Sequence, residues 1–177
     1  SNERIGPNTW QRKTKEQQEG DESYTEIYTN YAGQAMLTAV LGDGKKWCAY
    51  SQYDDQGRVI MSASPSAFDA AQPYSESNAD LVMLETGGLL TDEGYVGHYV
   101  YDTSRASPSY GRLLSSSISR GMNGGWIPQS LFTYGFVKAV GPDAVAFLTS
   151  QTSYAGITGD SVLPEHPLES LVTTYSY

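Results

Sequence analysis

Residues 35–63 read AMLTAVLGDGKKWCAYSQYDDQGRVIMSA, and the way this stretch divides decides the fold class. Gly42-Asp43-Gly44 and Asp54-Asp55-Gln56-Gly57 are turn sequences, because glycine accepts positive φ and aspartate bonds to nearby backbone. Between them Lys45 to Tyr53 alternates, with Trp47, Ala49 and Tyr53 on one parity. Ala35–Leu41, Lys45–Tyr53 and Arg58–Ala63 are therefore expected to form a three-strand antiparallel meander.

Upstream of the meander, Tyr24, Ile27, Tyr28 and Tyr31 fall at i, i+3, i+4 and i+7. That spacing predicts an amphipathic helix from Asp21, its N-cap, to about Gly33. Residues 1–20 are polar nearly all round and are expected to be an arm or a solvated helix, with residues 21–177 as a single globular domain. Downstream, Ser77 and Asp80 resemble a capping box for a short helix, Asn78 to Thr86, closed by Gly87-Gly88. Tyr95 to Asp102 reads as a strand, with Tyr95, Gly97, Tyr99 and Tyr101 on one face. Arg105 to Gln129 is Ser- and Gly-rich and expected to be irregular around Leu113–Ile118. Leu131–Val140 and Ala144–Thr149 form a hairpin across Gly141-Pro142-Asp143, and Leu171–Tyr177 is an edge strand. The expected class is α+β: an antiparallel sheet, meander plus C-terminal hairpin, with an N-terminal amphipathic helix and a short second helix. An all-β sandwich is the alternative.

Composition narrows the function. A chain of 177 residues buries enough surface to need no staple, and its one cysteine, Cys48, allows no intrachain disulfide. Flanked by Trp47 and Ala49, Cys48 reads as a small buried hydrophobe. The net charge of −9 argues against nucleic acid and against anionic membrane as partners. Charged residues make up only 18%, and Ser, Thr, Gly, Asn, Gln and Tyr fill the difference, as on many extracytoplasmic and surface-displayed domains. No apolar run approaches the ~20 residues of a membrane helix, so direct membrane insertion is not expected. The first thirty residues carry no signal-peptide pattern, so the expected form is mature or excised, which is compatible with removal of a leader or anchor upstream.

Chemistry-bearing motifs are sparse. His98 lies between Val96 and Val100 on the expected strand and reads as a satisfied core histidine; His166, in Pro164-Glu165-His166-Pro167, reads as solvated. Gly159-Asp160-Ser161 resembles the short string around some lipase nucleophiles, but it lies near the wrong end of the chain and no Gly-x-Ser-x-Gly elbow accompanies it. Asp54-Asp55 and Asp92-Glu93 lack the spacing of a calcium loop and read as turn chemistry. Gly121-Met122-Asn123-Gly124-Gly125 has the flexibility of a phosphate loop without its lysine. No catalytic residue, metal ligand or cofactor is therefore assigned. The expected ligand-binding residues are Tyr95, Tyr99, Tyr101, Arg105, Tyr110, Arg112 and Trp126, an aromatic and arginine group suited to a small polar ligand or a protein partner.

A helix followed by a meander through Asp55-Gln56-Gly57-Arg58-Val59-Ile60, then Phe136-Val137-Lys138 and a closing hairpin, looks like the order of Cache sensor modules. Profilin-like and PAS-like modules share that plan, and a pilin-type soluble domain fits it equally. The shared motifs are generic hairpin chemistry and assign no family. The leading expectation is a non-catalytic extracytoplasmic binding or surface module. The alternatives are a small hydrolase using Ser161 or a carboxylate pair, and a structural subunit of a surface assembly; an oligomer is compatible with each.

Overall fold

The structure is a computed structural model of the chain, and it describes residues 6–17, 19–20, 22–82, 88–90, 92–138, 144–154 and 170–176. Among them stand ten strands: β1 (Trp10–Glu16), β2 (Tyr24–Asn30), β3 (Ala35–Gly42), β4 (Lys45–Tyr53), β5 (Val59–Ala63), β6 (Tyr95–Tyr101), β7 (Leu113–Arg120), β8 (Ile127–Lys138), β9 (Ala144–Tyr154) and β10 (Ser170–Thr174). Hydrogen-bonded neighbours run in chain order from β1 to β10. One 3₁₀ turn, Pro65–Ala67, is the sole helical element among the described residues. No helix among them is long and apolar enough to cross a membrane.

The class is all-β and antiparallel, which corrects the α+β expectation and agrees with its all-β alternative. Tyr24 to Asn30 is a strand, and its period is two: Glu26, Tyr28 and Asn30 are buried on one face. Buried polar residues at positions 26 and 30 hid that alternation, while Ile27 supplied a false helical match. The polar segment expected to be an arm or helix contains β1, an edge strand whose side chains are mostly exposed. Residues 78–82 form turns and bends instead of the start of a helix; 83–87, and the Asp21 cap, lie outside the described residues. Without a leading helix the likeness to Cache-type and pilin-type modules loses its first element.

The expected meander is present as β3–β5, and β10 occupies the end of the strand order as expected of an edge. The stretch expected to be irregular contains all of β7 and the start of β8, strands whose serines disguise their alternation.

The contacts divide the chain into two compact units, residues 1–97 with 119–125, and residues 98–118 with 126–177. In the first, antiparallel pairing lines up Tyr28, Leu37, Tyr50 and Ala63 as one row across β2–β5, and all four are buried. Glu26, Ala39 and Cys48 form the adjacent buried row. The irregular segment between β5 and β6 covers this face with Ala67, Phe68, Leu81, Val82 and Leu89. In the second unit β9 pairs with both β8 and β10, and burial is sparser; Ala146 is its one buried apolar residue among those described.

Candidate functional site

The densest polar cluster lies in the first unit, on the face that β2 turns inward. Glu26 is nearly buried, and three donors surround its carboxylate: Lys13 Nζ at 2.8 Å, the Tyr74 hydroxyl at 2.8 Å and the Tyr28 hydroxyl at 3.0 Å. Tyr28 shares its one proton with Glu76, 2.7 Å away, which also receives Lys13 at 2.7 Å. Trp10 and Tyr74 pack edge-on against the Tyr28 ring, each with centroids 5.5 Å apart. Lys46 lies 5.0 Å from the Tyr74 centroid, a cation–π distance.

Burial alone would raise the Glu26 carboxyl, but donation from Lys13, Tyr74 and Tyr28 outweighs it and holds the group below its ordinary range. Bonds from Lys13 and Tyr28 lower Glu76 in the same direction. Burial opposes the Lys13 charge, yet bonds to both carboxylates raise its pKa. Acid–base work by two carboxyls needs pKa values pushed apart, with one kept protonated. These two are pushed the same way, both toward the ionised form. The cluster is built to hold β1, β2 and the segment bearing Tyr74 and Glu76 together. Nothing in the sequence marked it, since its members lie up to 63 residues apart.

The expected ligand residues divide between the units. Tyr95 belongs to the first, where its ring is exposed and its backbone bonds Ser64. Tyr99, Tyr101, Arg105, Tyr110, Arg112 and Trp126 belong to the second. There Asp102 organises the β6–β7 loop by accepting from Ser104 N at 2.9 Å and Ser109 Oγ at 2.6 Å, and hydrogen bonds from the Ser107 and Ser109 hydroxyls and Ser104 N lower its pKa. Arg112 donates to the Ala146 carbonyl at 3.0 Å and stacks 5.6 Å from the Tyr134 centroid, so its guanidinium is committed to β8 and β9. Trp126 is half exposed and meets His98 edge to face. Arg105 and Tyr110 are exposed on the loop.

His98 departs from the satisfied core residue expected. Its Nε2 is buried with no hydrogen-bond partner among the described residues, and burial pushes its pKa down to about 4. The imidazole is neutral at pH 7 and is held by Trp126. Ser161 and His166 lie outside the described residues. Asp54 follows the expected turn chemistry: Oδ1 accepts from Gln56 N and Arg58 N at 2.9 Å each, and Oδ2 pairs with the Arg58 guanidinium. Cys48 is fully buried, as expected of a small hydrophobe.

Two surface features went unread in the sequence. A cleft of about 320 Å³ at the β3–β4 turn is lined by Tyr24, Leu41, Lys45 and Lys46 together with Glu22 and Asp43, so it carries two charges of each sign. The second feature is apolar. Phe136 (63% exposed), Val137 (60%) and Val145 (58%) stand out from β8 and β9, with Leu171 (71%) and Val172 (57%) on β10. Val137 faces Val145 across the β8–β9 ladder, and Leu131, Thr152 and Val172 line up across β8, β9 and β10. Since neighbouring strand residues point to opposite faces, Leu171 and Val172 leave apolar groups exposed on both. Lys138 is the single charge in the three strands. No family model, curated protein or solved structure matches the chain.

Proposed function

We propose that the chain is a non-catalytic extracytoplasmic binding or surface module, and that what it binds is a protein. The observation that carries the reading is the set of exposed apolar groups on β8–β10, strands that hold a single charge, Lys138. Contiguous exposed apolar groups are uncommon on a free soluble surface and mark places where another molecule excludes water. The exposed groups are aliphatic and aromatic with little charge among them, Val137 and Val145 on one face of the β8–β9 ladder and Phe136 on the other, which is the composition of a protein interface core. The neutral-polar composition of the chain supports the extracytoplasmic part. Of the aromatic–arginine group, Arg105, Tyr110 and Trp126 offer exposed groups that would serve as a rim; Arg112 supports the fold of its unit.

A photoreactive phenylalanine analogue placed at Phe136, and separately at the exposed turn residue Asp55, tests this in source cells. The expected result is a protein adduct of defined mass from position 136 and none from position 55. Equal adducts from both, or none from 136, contradict it.

A further inference from the structure

We infer that the outer edge of β10 pairs, antiparallel and about a two-fold axis, with β10 of a second copy of this chain. The inference rests on reading β8–β10 as the protein-binding surface and assigns the free edge of β10 to a second copy; Phe136, Val137 and Val145, at the other end of the β8–β9 ladder, lie outside that pairing. Among the described residues no strand covers that edge. A strand edge carries unpaired N–H and C=O groups, and proteins ordinarily blunt it with charge or proline. β1, at the other end of the strand order, is blunted in this way by Arg12, Lys13, Lys15 and Glu16. β10 reads Ser-Leu-Val-Thr-Thr, with neither charge nor proline.

The backbone of β10 is set for self-pairing. Ser170 opposes Tyr154 and Thr174 opposes Ser150, so Tyr175 opposes Thr149, to whose carbonyl it donates at 2.9 Å. Hydrogen-bonded and non-bonded positions alternate in an antiparallel ladder. Leu171, Thr173 and Tyr175 therefore bond toward β9, and Ser170, Val172 and Thr174 aim their N–H and C=O groups outward. A two-fold axis through Val172 places it opposite the partner's Val172, and Ser170 opposite the partner's Thr174. Every outward group of the strand then has a partner. Leu171 meets the partner's Thr173 on one face, and the Leu131–Thr152–Val172 row continues across the axis on the other. These are apolar and β-branched pairs of the kind that stabilise sheets.

Charge favours β10–β10 pairing over the competing arrangement of two copies. Two chains of net charge −9 repel, so they meet best where neither carries charge. Head-to-tail pairing of β10 with another chain's β1 would set a neutral strand against a basic one and would propagate into a filament. Self-pairing closes at two.

Sedimentation equilibrium across micromolar concentrations tests the assembly. The expected mass rises from 19.3 kDa to twice that value and stops. Val172→Lys is expected to hold the protein at the monomer mass. Val172→Pro does the same while sparing the bonds to β9, because the lost N–H points outward; an unchanged circular dichroism spectrum shows that either variant is folded. Under mild oxidation Val172→Cys is expected to give a disulfide-linked dimer and Ser170→Cys only a trace, since the axis brings only residue 172 next to its own copy. A monomer at every concentration, a dimer that survives Val172→Lys, or an unbounded mass series each overturns the inference. A monomer that still forms a defined adduct from position 136 sinks the dimer alone and leaves the protein-binding reading standing.

Discussion

The Tyr28 hydroxyl lies 3.0 Å from the Glu26 carboxylate, two residues along the same buried face of β2. A helix would turn those side chains well apart; a strand sets them side by side. Glu26 then serves as the acceptor that joins β1, β2 and the covering segment. Glu26→Ala is expected to destabilise the protein by about 3 kcal/mol, because Lys13 loses one counter-charge and two tyrosine hydroxyls lose an acceptor. Glu26→Gln keeps one acceptor oxygen and is expected to fall between. Urea unfolding checks the order, and an Ala variant within about 0.5 kcal/mol of the parent would remove Glu26 from this role.

The pH profile should show two limbs of different origin. His98 has a folded pKa of about 4 against an ordinary 6.5, so the unfolded chain binds the extra proton between those values. Its contribution is complete above pH 6.5 and is lost as pH falls toward 4. Glu26, Glu76, Asp54 and Asp102 are all lowered on folding, so their contributions hold above the ordinary carboxyl range and fade as pH drops through it. Thermal melts at stepped pH should therefore decline gently first and steeply after. Replacing His98 with Gln should flatten only the first limb, and Glu26→Gln should soften only the second.

Cys48 is fully buried in the row with Glu26 and Ala39, and burial pushes its thiol up to about 11. It is expected to resist Ellman's reagent in the native protein and to react once denaturant opens the sheet. Rapid stoichiometric labelling without denaturant would show that the β2–β5 face is open.

Gly94 and Gly33 both have positive φ but differ in surroundings. A Cβ on Gly94 would overlap the backbone of Ala67, whereas one on Gly33 meets nothing within 4 Å. Gly94→Ala is expected to lower stability by at least about 2 kcal/mol, and Gly33→Ala by about 1 kcal/mol. Chemical denaturation of both variants tests the order. Equal losses would mean that the approach of Gly94 to Ala67 is not close in solution.

Some of this architecture was legible in the sequence because local rules and tertiary outcome agreed. At β3–β5, alternation and the Gly42–Gly44 and Asp54–Gly57 turns all point to a meander, and the strands form there. Elsewhere they diverged. Tyr, Thr and Ile dominate residues 24–29 and favour a strand, but four residues at helical spacing outweighed that preference. β1 looked like a solvated helix because an edge strand needs charge, and charge is what a solvated helix shows. The candidate surface was harder still. Exposure of Phe136, Val137 and Val145 depends on what covers β8 and β9, and no local pattern encodes that. Arg112 looked like a ligand donor because its partners, Tyr134 and Ala146, lie 22 and 34 residues away.

The apolar side chains of β8–β10 should be dispensable for folding. Phe136→Lys and Val145→Lys are each expected to shift stability by no more than about 0.5 kcal/mol, because both side chains already face water in the free chain. A loss of several kcal/mol in urea unfolding would mean that these residues pack within the chain.

Covalent footprinting with a photogenerated carbene, on purified dilute protein and in source cells, tests the protein-binding surface most directly. Phe136, Val137, Val145, Leu171 and Val172 should label strongly in the dilute protein and be protected in cells, while the exposed Tyr31 and Trp47 of the first unit label alike in both. Equal labelling of the β8–β10 residues in the two settings would contradict a protein partner at this surface.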